Sequence, residues 1–143
     1  MFEQIVPGLE GQSEVRVTAQ NTAQHLGSGN VAVFATPEMV LLIEMAGVAA
    51  VDHLLPPGYR TVGVGIQVSH IAATPLGMTA RAKVELLRVE GRKLTFRVEA
   101  SDDVERIGEG VHERMIINLA RFNERVEAKK AASGSGARPL VEG

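Results

Sequence analysis

The chain has 143 residues, of which 45% are hydrophobic and 22% are charged, as in an ordinary globular protein with one core. A formal net charge of −2 gives no reason to expect nucleic acid or an anionic membrane as a partner. The absence of cysteine excludes disulfides, thiolate metal sites and a cysteine nucleophile.

The start of the chain lacks a basic segment followed by an apolar one, so no secretory signal is predicted. The longest apolar run, at residues 39–51, contains Glu44 and is shorter than the about 20 residues that a bilayer requires. We therefore predict a cytoplasmic protein.

The first half of the chain predicts two short strands and one long helix. Alternation favours a half-buried strand at residues 13–19, and a second strand is predicted at 31–34. Thr36 is predicted to cap the helix and Pro37 to occupy its first position. The helix then runs to Pro56, and because it is apolar nearly all round, we expect it to be central and enclosed.

The second half predicts consecutive strands and a terminal helix. A tight hairpin at residues 90–92 joins the second and third of these strands, and a helix is predicted at 118–130. The strands are predicted at residues 60–71, 78–89, 93–101 and from 106 to about 119.

One long helix against antiparallel strands indicates an α+β domain over residues 1–130, followed by a flexible tail at 131–143 with linker composition. The free edges of such a sheet favour a two-fold homodimer, or a higher assembly built from it.

Glu44 is the one charge inside the long apolar helix. Its neighbours at three and four residues' distance are Val40, Leu41, Gly47 and Val48, so its side chain points into apolar surroundings. Because an unpaired buried carboxylate is costly, Glu44 lies either on a solvated edge of the helix or in a paired, functional setting.

His70 ends a strand in which apolar residues alternate. It is predicted to point towards the helix, on the same face as Val62, Val64, Ile66 and Val68. A single histidine on an apolar face is either a satisfied core residue or a catalyst. Because a carboxylate and an imidazole in one pocket form an acid–base pair, Glu44 and His70 are candidate catalytic residues.

Thr36 has a structural role as a cap, yet the N-terminus of a buried helix also attracts an oxygen anion. Thr36 and Glu44 are eight residues apart, which is about 12 Å of helix rise. The two cannot contact one reacting atom from a single helix. The site is therefore elongated or shared between two subunits, and we favour the second.

Gly108 and Gly110 stand two apart in the last strand, where they leave space for a ligand or a bulge. His112 and Arg114 share one face of that strand, which we interpret as an exposed polar face. The four histidines lack metal-binding spacing, and no nucleophile elbow is present. No metal or redox cofactor is predicted.

Three blocks occur in order along the chain: ATPEMVLLIEMA at residues 35–46, VGVGIQVSH at 62–70 with TPLG at 74–77, and IGEGVHER at 107–114. Together they resemble the fluoroacetyl-CoA thioesterase-like branch of the hotdog superfamily. The resemblance covers residues 10–125.

The resemblance implies a hotdog fold, in which an antiparallel sheet wraps a long helix, and a dimer with acyl-CoA sites near the subunit interface. It places the family's catalytic Thr, Glu and His on Thr36, Glu44 and His70, and the family's last-strand Arg on Arg114. We predict that Arg114 and Gly63 bind substrate. The implied activity is hydrolysis of a short-chain acyl-CoA to the free acid and CoA, with Glu44 as general base or nucleophile. CoA enters as part of the substrate, so no separate cofactor is implied.

One departure concerns the acyl group. The fluoroacetate-specific member has a phenylalanine-lined lid over the acyl pocket, whereas residues 27–31 here contain no phenylalanine. We therefore expect a broader or different short-chain acyl preference.

Two alternative functions stay open at this point. A hotdog hydratase or dehydratase usually pairs Asp with His on one loop–helix segment, which we do not find in the sequence. A non-catalytic protein that binds or senses acyl-CoA would use Glu44 and His70 only to satisfy each other.

Overall fold

A five-stranded antiparallel sheet with one long helix packed on it makes up the computed structural model, which describes residues 1–134. The sheet has the strand order β1-β3-β4-β5-β2. The strands are β1 Glu10–Arg16, β2 Tyr59–His70, β3 Thr79–Glu90, β4 Lys93–Ser101 and β5 Arg106–Asn118, and the helices are α1 Ala23–Leu26, α2 Thr36–Val51 and α3 Leu119–Ser133.

The predicted elements of the second half are confirmed to within a few residues. Gly91 and Arg92 form the two-residue turn between Glu90 and Lys93, and Gly91 has a φ of 66°, which glycine adopts without strain. The terminal helix begins at a proper cap, since the Asn118 side chain accepts a hydrogen bond from the Arg121 N–H at 3.1 Å.

The predicted tail at 131–143 overlaps the end of α3, which continues to Ser133. Residues 135–143 lie outside the described part of the chain, so flexibility there stays a prediction. The boundary between domain and tail predicted at residue 130 therefore falls within a helix.

The strand predicted at residues 31–34 is wrong. This segment makes only two isolated bridges, Thr22 to Phe34 and Val33 to Pro75. Its carbonyl groups are used locally: the N–H of Ala23 donates to the Val33 oxygen at 2.8 Å, and a short helix, α1, that was not predicted from the sequence begins there. The first predicted strand is correct in kind, but it runs from residue 10 to 16 rather than from 13 to 19.

The core lies between one side of α2 and the inner face of the sheet, chiefly β1 and β3. The opposite side of α2 is open in the single chain, where Leu41 is 51% exposed and Met45 is 50% exposed. The prediction of an enclosed helix therefore holds for one side only. An exposed apolar stripe on a central helix indicates a surface that another element covers.

A β-bulge divides strand β2 in two. Gly63 lies opposite Arg114 and Gly65 lies opposite Glu113, so Val64 is an extra residue in the ladder. Directly opposed residues share a face, and the bulge therefore reverses the alternation. Ile66, opposite the buried His112, faces α2 as predicted together with Val68 and His70, whereas Val62, opposite Met115, faces outwards.

None of the helices within residues 1–134 has both the length and the apolar content that a membrane-spanning segment requires. The cytoplasmic location stays a prediction from the sequence.

Strand β1 reaches α2 through Gly11, and this contact generates a stability prediction. A Cβ atom at Gly11 would overlap the Ala46 carbonyl oxygen and lie 2.8 Å from the Ala50 Cβ. Gly11→Ala must therefore push β1 away from the helix. We expect it to lower the free energy of unfolding by about 3 kcal/mol in urea titrations.

The matched control is Gly29→Ala, because a Cβ at that position would meet the Ala23 Cβ at 3.5 Å, an ordinary van der Waals distance. Equal unfolding midpoints for the two variants would contradict the close approach of β1 to α2.

Candidate active site

Thr36 and His70 form a hydrogen-bonded pair at the start of α2. The Thr36 Oγ1 lies 2.8 Å from the His70 Nδ1. Burial lowers the pKa of His70 below its usual value, so the imidazole is neutral at neutral pH. Among residues 1–134, His70 Nε2 is one of only two buried side-chain polar atoms without a hydrogen-bond partner. An unsatisfied imidazole nitrogen beside a hydroxyl group is available to a reacting group.

The predicted capping role of Thr36 is wrong. The N-cap residue is Ala35, and Thr36 and Pro37 are the first two helical residues, so Pro37 occupies the second helical position rather than the first. Pro37 has no N–H, and the N–H of Glu38 donates to the Ala35 carbonyl at 3.1 Å. Pro37 and Glu38 therefore have no free N–H group to offer a ligand. At this end of the helix, Thr36 can donate from both its N–H and its hydroxyl group.

The side chain of Glu44 on α2 is half-exposed and lies beside the guanidinium of Arg114. Its Oε2 atom is 3.7 Å from the Arg114 Nη1, while the side chain of Glu44 is 43% exposed and that of Arg114 is 5% exposed. The carboxylate is therefore held on one side by a buried cation and is open to solvent on the other. The structure therefore combines the two alternatives from the sequence, since Glu44 lies on a solvated edge of α2 and is also paired with a charged group rather than pointing into apolar surroundings.

Two glycines leave the room in which this ion pair fits. A Cβ at Gly63 would stand 2.5 Å from the Glu44 Oε2, and a Cβ at Gly47 would stand 2.9 Å from the Arg114 Cδ. Both distances are shorter than real Cβ contacts allow. Gly63 therefore acts through the space that it leaves beside the Glu44 carboxylate.

Arg114 is fixed by a network of hydrogen bonds on its buried side. Its Nε donates to the Thr61 Oγ1 at 2.8 Å and its Nη2 donates to the Thr61 carbonyl at 3.1 Å. The Thr61 hydroxyl in turn donates to the Asp52 Oδ1 at 2.5 Å. These contacts use the N–H donors of Nε and Nη2, and the remaining nitrogen, Nη1, is directed at Glu44.

His112 completes the network as a neutral acceptor. Its Nδ1–H donates to the Gly65 carbonyl at 2.8 Å, so its Nε2 accepts from the Arg114 Nη1 at 3.2 Å. Burial lowers the pKa of His112, which keeps the ring neutral next to a cation. Burial also lowers the pKa of Arg114, although Asp52 and Glu44 oppose that effect.

The exposed polar face predicted for His112 and Arg114 is wrong, because the two side chains are 1% and 4% exposed and face α2. The nearby glycines serve packing. A Cβ at Gly108 would lie 2.7 Å from the Met39 sulfur, and one at Gly110 would overlap the Gln67 carbonyl of β2.

The candidate residues form two clusters in the chain rather than one. Thr36 and His70 meet at the start of α2, whereas Glu44, Gly63 and Arg114 meet about 12 Å further along the helix. The single chain places Glu44 beside Arg114 and not beside His70. The two clusters share one property, since both lie on the side of α2 that faces β2.

Asp52, Thr61 and the buried role of His112 were missed from the sequence. Asp52 belongs to a 3-10 turn after α2, and Thr61 lies in β2 before the bulge. One signal was present: Gly63 and His70 are seven positions apart, an odd number, so they face the same side only if the strand contains a bulge.

A cavity of about 360 Å³ opens beside the Thr36–His70 pair. Its walls are mostly small or apolar. They include Ala23, Val31, Val33, Phe34 and Ala72. The cavity therefore suits a small apolar group whose polar end reaches Thr36 and His70.

Comparison with known proteins gives consistent results. A family model described as fluoroacetyl-CoA-specific thioesterase matches residues 17–120. The fluoroacetyl-CoA thioesterase of Streptantibioticus cattleyicolor is 49% identical over 100 residues, which cover 70% of this chain and 72% of that protein.

Solved structures extend the similarity to the fold. A mutant of the fluoroacetyl-CoA thioesterase in complex with acetyl-CoA has a TM-score of 0.81 and 40% identity, covering 87% of this chain and 98% of that chain. A thioesterase superfamily member of Thermus thermophilus has a TM-score of 0.83 and 29% identity over 90% of this chain and 95% of that chain. A hot-dog-like protein from Thermanaerovibrio acidaminovorans, 24% identical with a TM-score of 0.81 over 89% of this chain and 94% of that one, supports the fold alone. The predicted α+β hotdog fold is confirmed.

The hydrogen-bond network around Arg114 predicts a difference between two buried threonines. Thr61→Val removes the hydroxyl that joins Asp52 to Arg114, so each of these two charged groups loses one hydrogen bond while keeping its others. We expect this change to lower the free energy of unfolding by about 2 kcal/mol, measured by urea denaturation.

Thr95→Val is the matched control, because the Thr95 hydroxyl is buried and has no hydrogen-bond partner among the described residues. It should leave stability unchanged or raise it. If the two variants are equally stable, the Thr61 hydroxyl does not hold the network.

Proposed function

This chain belongs to the fluoroacetyl-CoA-specific thioesterase family, and we propose that it hydrolyses a short-chain acyl-CoA to the free acid and CoA with Thr36, Glu44 and His70 at the reacting thioester. The observation that carries this assignment is the Glu44 carboxylate, which a buried guanidinium holds on one side while the other side stays open. A fixed and accessible carboxylate is what hydrolysis without a metal requires.

Glu44 begins the reaction in one of two ways. As a general base it takes a proton from a water molecule, whose oxygen adds to the thioester carbonyl. As a nucleophile its oxygen adds directly, and loss of the CoA thiolate leaves an acyl anhydride that water then hydrolyses. In both cases the carbon–sulfur bond breaks and the sulfur takes up a proton.

Thr36 and His70 act on the other side of the thioester. The Thr36 N–H and hydroxyl group donate to the carbonyl oxygen as it gains negative charge, an effect worth about 3 kcal/mol per donor in comparable sites. While the Thr36 hydroxyl donates to the carbonyl oxygen, it accepts from the His70 Nδ1–H, so His70 Nε2, which is unpartnered within residues 1–134, carries no proton at the start. In the general-base route, Nε2 accepts the proton removed from water and then donates it to the leaving sulfur. Arg114 keeps the Glu44 carboxylate oriented, and no metal or redox cofactor takes part.

A complete site requires two copies of the chain. Glu44 of one subunit and the Thr36–His70 pair of the other meet if β2 strands pair about a two-fold axis. Two features support this pairing. β2 is an edge strand of the described sheet, and apolar side chains stand exposed beside it on α2 and β2: Leu41, Met45, Val64 and Ile66.

The cavity beside Thr36 and His70 accepts short acyl groups, including groups longer than the two carbons of fluoroacetyl. The cavity beside Thr36 and His70 is lined by Ala23 and Val31, and the loop that borders it, at residues 27–31, has no aromatic residue. Phe34 also lines this cavity, so an acyl group larger than fluoroacetyl is supported by the loop at residues 27–31 and not by walls without aromatic residues.

Replacement of Glu44 tests the reaction. We expect Glu44→Gln to reduce thiol release from a panel of acyl-CoAs by at least about 10³-fold, because an amide can neither accept the proton nor form the anhydride. The thermal midpoint should stay near that of the wild type. Glu113→Gln is the matched control, since Glu113 lies next to Arg114 in sequence but pairs with Lys93 on the outer face.

Near wild-type turnover by Glu44→Gln would overturn this mechanism. A wild-type protein that binds acyl-CoA without releasing thiol would be the non-catalytic alternative, and one that hydrates an enoyl-CoA instead would be the hydratase.

Mixed dimers test whether the site is shared between subunits. In a heterodimer of Glu44→Gln and His70→Ala chains, one site receives both substitutions and the other receives neither. We therefore expect the purified heterodimer to regain about half of the wild-type activity, although each parent homodimer is inactive.

The control heterodimer combines Thr36→Val with His70→Ala. These residues belong to the same cluster, so each of its sites keeps one defect and activity should not return. An inactive Glu44→Gln/His70→Ala heterodimer would show that each site is built from one chain.

A further inference from the structure

A cleft between β5 and α3 is lined by arginines that form no ion pair with a carboxylate of residues 1–134. It has a volume of about 490 Å³, and Arg92, Arg121 and Arg125 line it. Seven lysines and arginines form ion pairs with Asp or Glu in the described chain, and all seven lie on β3, β4 or β5. The three cleft arginines are not among them.

Arg92 is held at the rim of the cleft by aromatic rings. Its guanidinium carbon lies 5.9 Å from the Phe2 ring centroid and 5.8 Å from that of Tyr59, within cation–π range. The Arg92 carbonyl accepts a hydrogen bond from the Ile116 N–H at 2.8 Å, which ties the hairpin turn to β5. This cation is therefore positioned before any ligand binds.

Arg121 and Arg125 stand one helical turn apart on α3, and Lys129 continues the same row. Like charges four residues apart destabilise a helix by about 0.2–0.5 kcal/mol per pair. A row of cations along a cleft is unfavourable by itself, and an anion bound between them offsets the repulsion.

The opposite wall of the cleft is apolar. Met115 and Ile117 point outwards from β5, and Phe122, which is 36% exposed, faces them from α3. Arg60 lies opposite Ile117 on the same face of the sheet. The cleft therefore suits a ligand with several negative charges and a flat apolar ring. Guanidinium groups bind phosphate in a bidentate manner, and an aromatic side chain can stack on a base.

We propose that this cleft binds the adenosine 3′-phosphate 5′-diphosphate end of the CoA thioester. The inference rests on the proposed function, which supplies a substrate of that chemistry. The cleft begins next to Arg114 in sequence, but Met115 and Ile117 line it on the outer face of the sheet, whereas Arg114 faces α2. Asn118 lies four residues beyond Arg114 along β5, about 13 Å away. The pantetheine arm joins nucleotide and thioester by passing around this end of β5.

The test compares two thioesters of the same acyl group, the CoA thioester and the N-acetylcysteamine thioester, which lacks the nucleotide. For Arg121→Gln/Arg125→Gln we expect the KM for acyl-CoA to rise about tenfold with little change in kcat. The KM of the wild type for acyl-CoA should also rise with ionic strength, and that of the variant much less. The kinetic constants for the N-acetylcysteamine thioester should not distinguish the two proteins.

Arg81→Gln/Arg88→Gln is the matched control. It removes the same charge from exposed, carboxylate-paired positions on β3 and should change neither substrate's constants. An equal loss for both thioesters in Arg121→Gln/Arg125→Gln, or an unchanged KM for acyl-CoA, would overturn the inference. A change in oligomeric state of that variant would overturn it too, because the cleft would then serve a second copy of the chain.

Binding of CoA itself, measured by calorimetry, separates this inference from the proposed function. If the wild type hydrolyses neither thioester, the proposed function fails. The cleft is nevertheless supported if the wild type binds CoA and Arg121→Gln/Arg125→Gln binds it at least about tenfold more weakly. Equal affinities would overturn it.

Discussion

One extra residue in an edge strand places both candidate clusters on the same side of the sheet. Without Val64 as a bulge, Gly63 and His70 would face opposite sides, because they are seven positions apart and side chains alternate along a strand. With the bulge, the first part of β2 meets the middle and end of α2, and the last part meets its start. The face on which His70 lies relative to Gly63 and Arg114 depends on this irregularity.

The two clusters differ in how firmly they are built. Arg114 is buried and bonded to Thr61 and His112, so the carboxylate that it holds needs little reorganisation during reaction. Thr36 and His70 form a single hydrogen bond at an open cavity, and His70 Nε2 has no partner among residues 1–134. A guanidinium fixed beside an accessible carboxylate at one cluster, and unused hydrogen-bonding capacity at the other, fit a reaction in which substrate completes the site.

The sequence predicted what depends on composition and local pattern. Glu44 and His70 were visible because each breaks an apolar pattern, and strands β2 to β5 alternate strongly enough to be recognised. The capping role of Thr36 failed, since Ala35 has extended backbone angles and begins the helix without a side-chain cap. The network through Asp52, Thr61 and His112 could not be predicted, because it joins residues far apart in sequence across a bulge that local pattern does not reveal.

The glycines on either side of the Glu44–Arg114 pair have a consequence for protein engineering. A hotdog scaffold that receives only the two charged residues will not reproduce the pair, because any side chain at the positions of Gly47 and Gly63 occupies the space of the guanidinium stem or the carboxylate. The transferable unit therefore includes two residues that contribute only the lack of a side chain, together with Thr61 and His112, which hold Arg114 in place. Covariation among related chains should therefore link these glycines to the charges, although they carry no chemistry of their own.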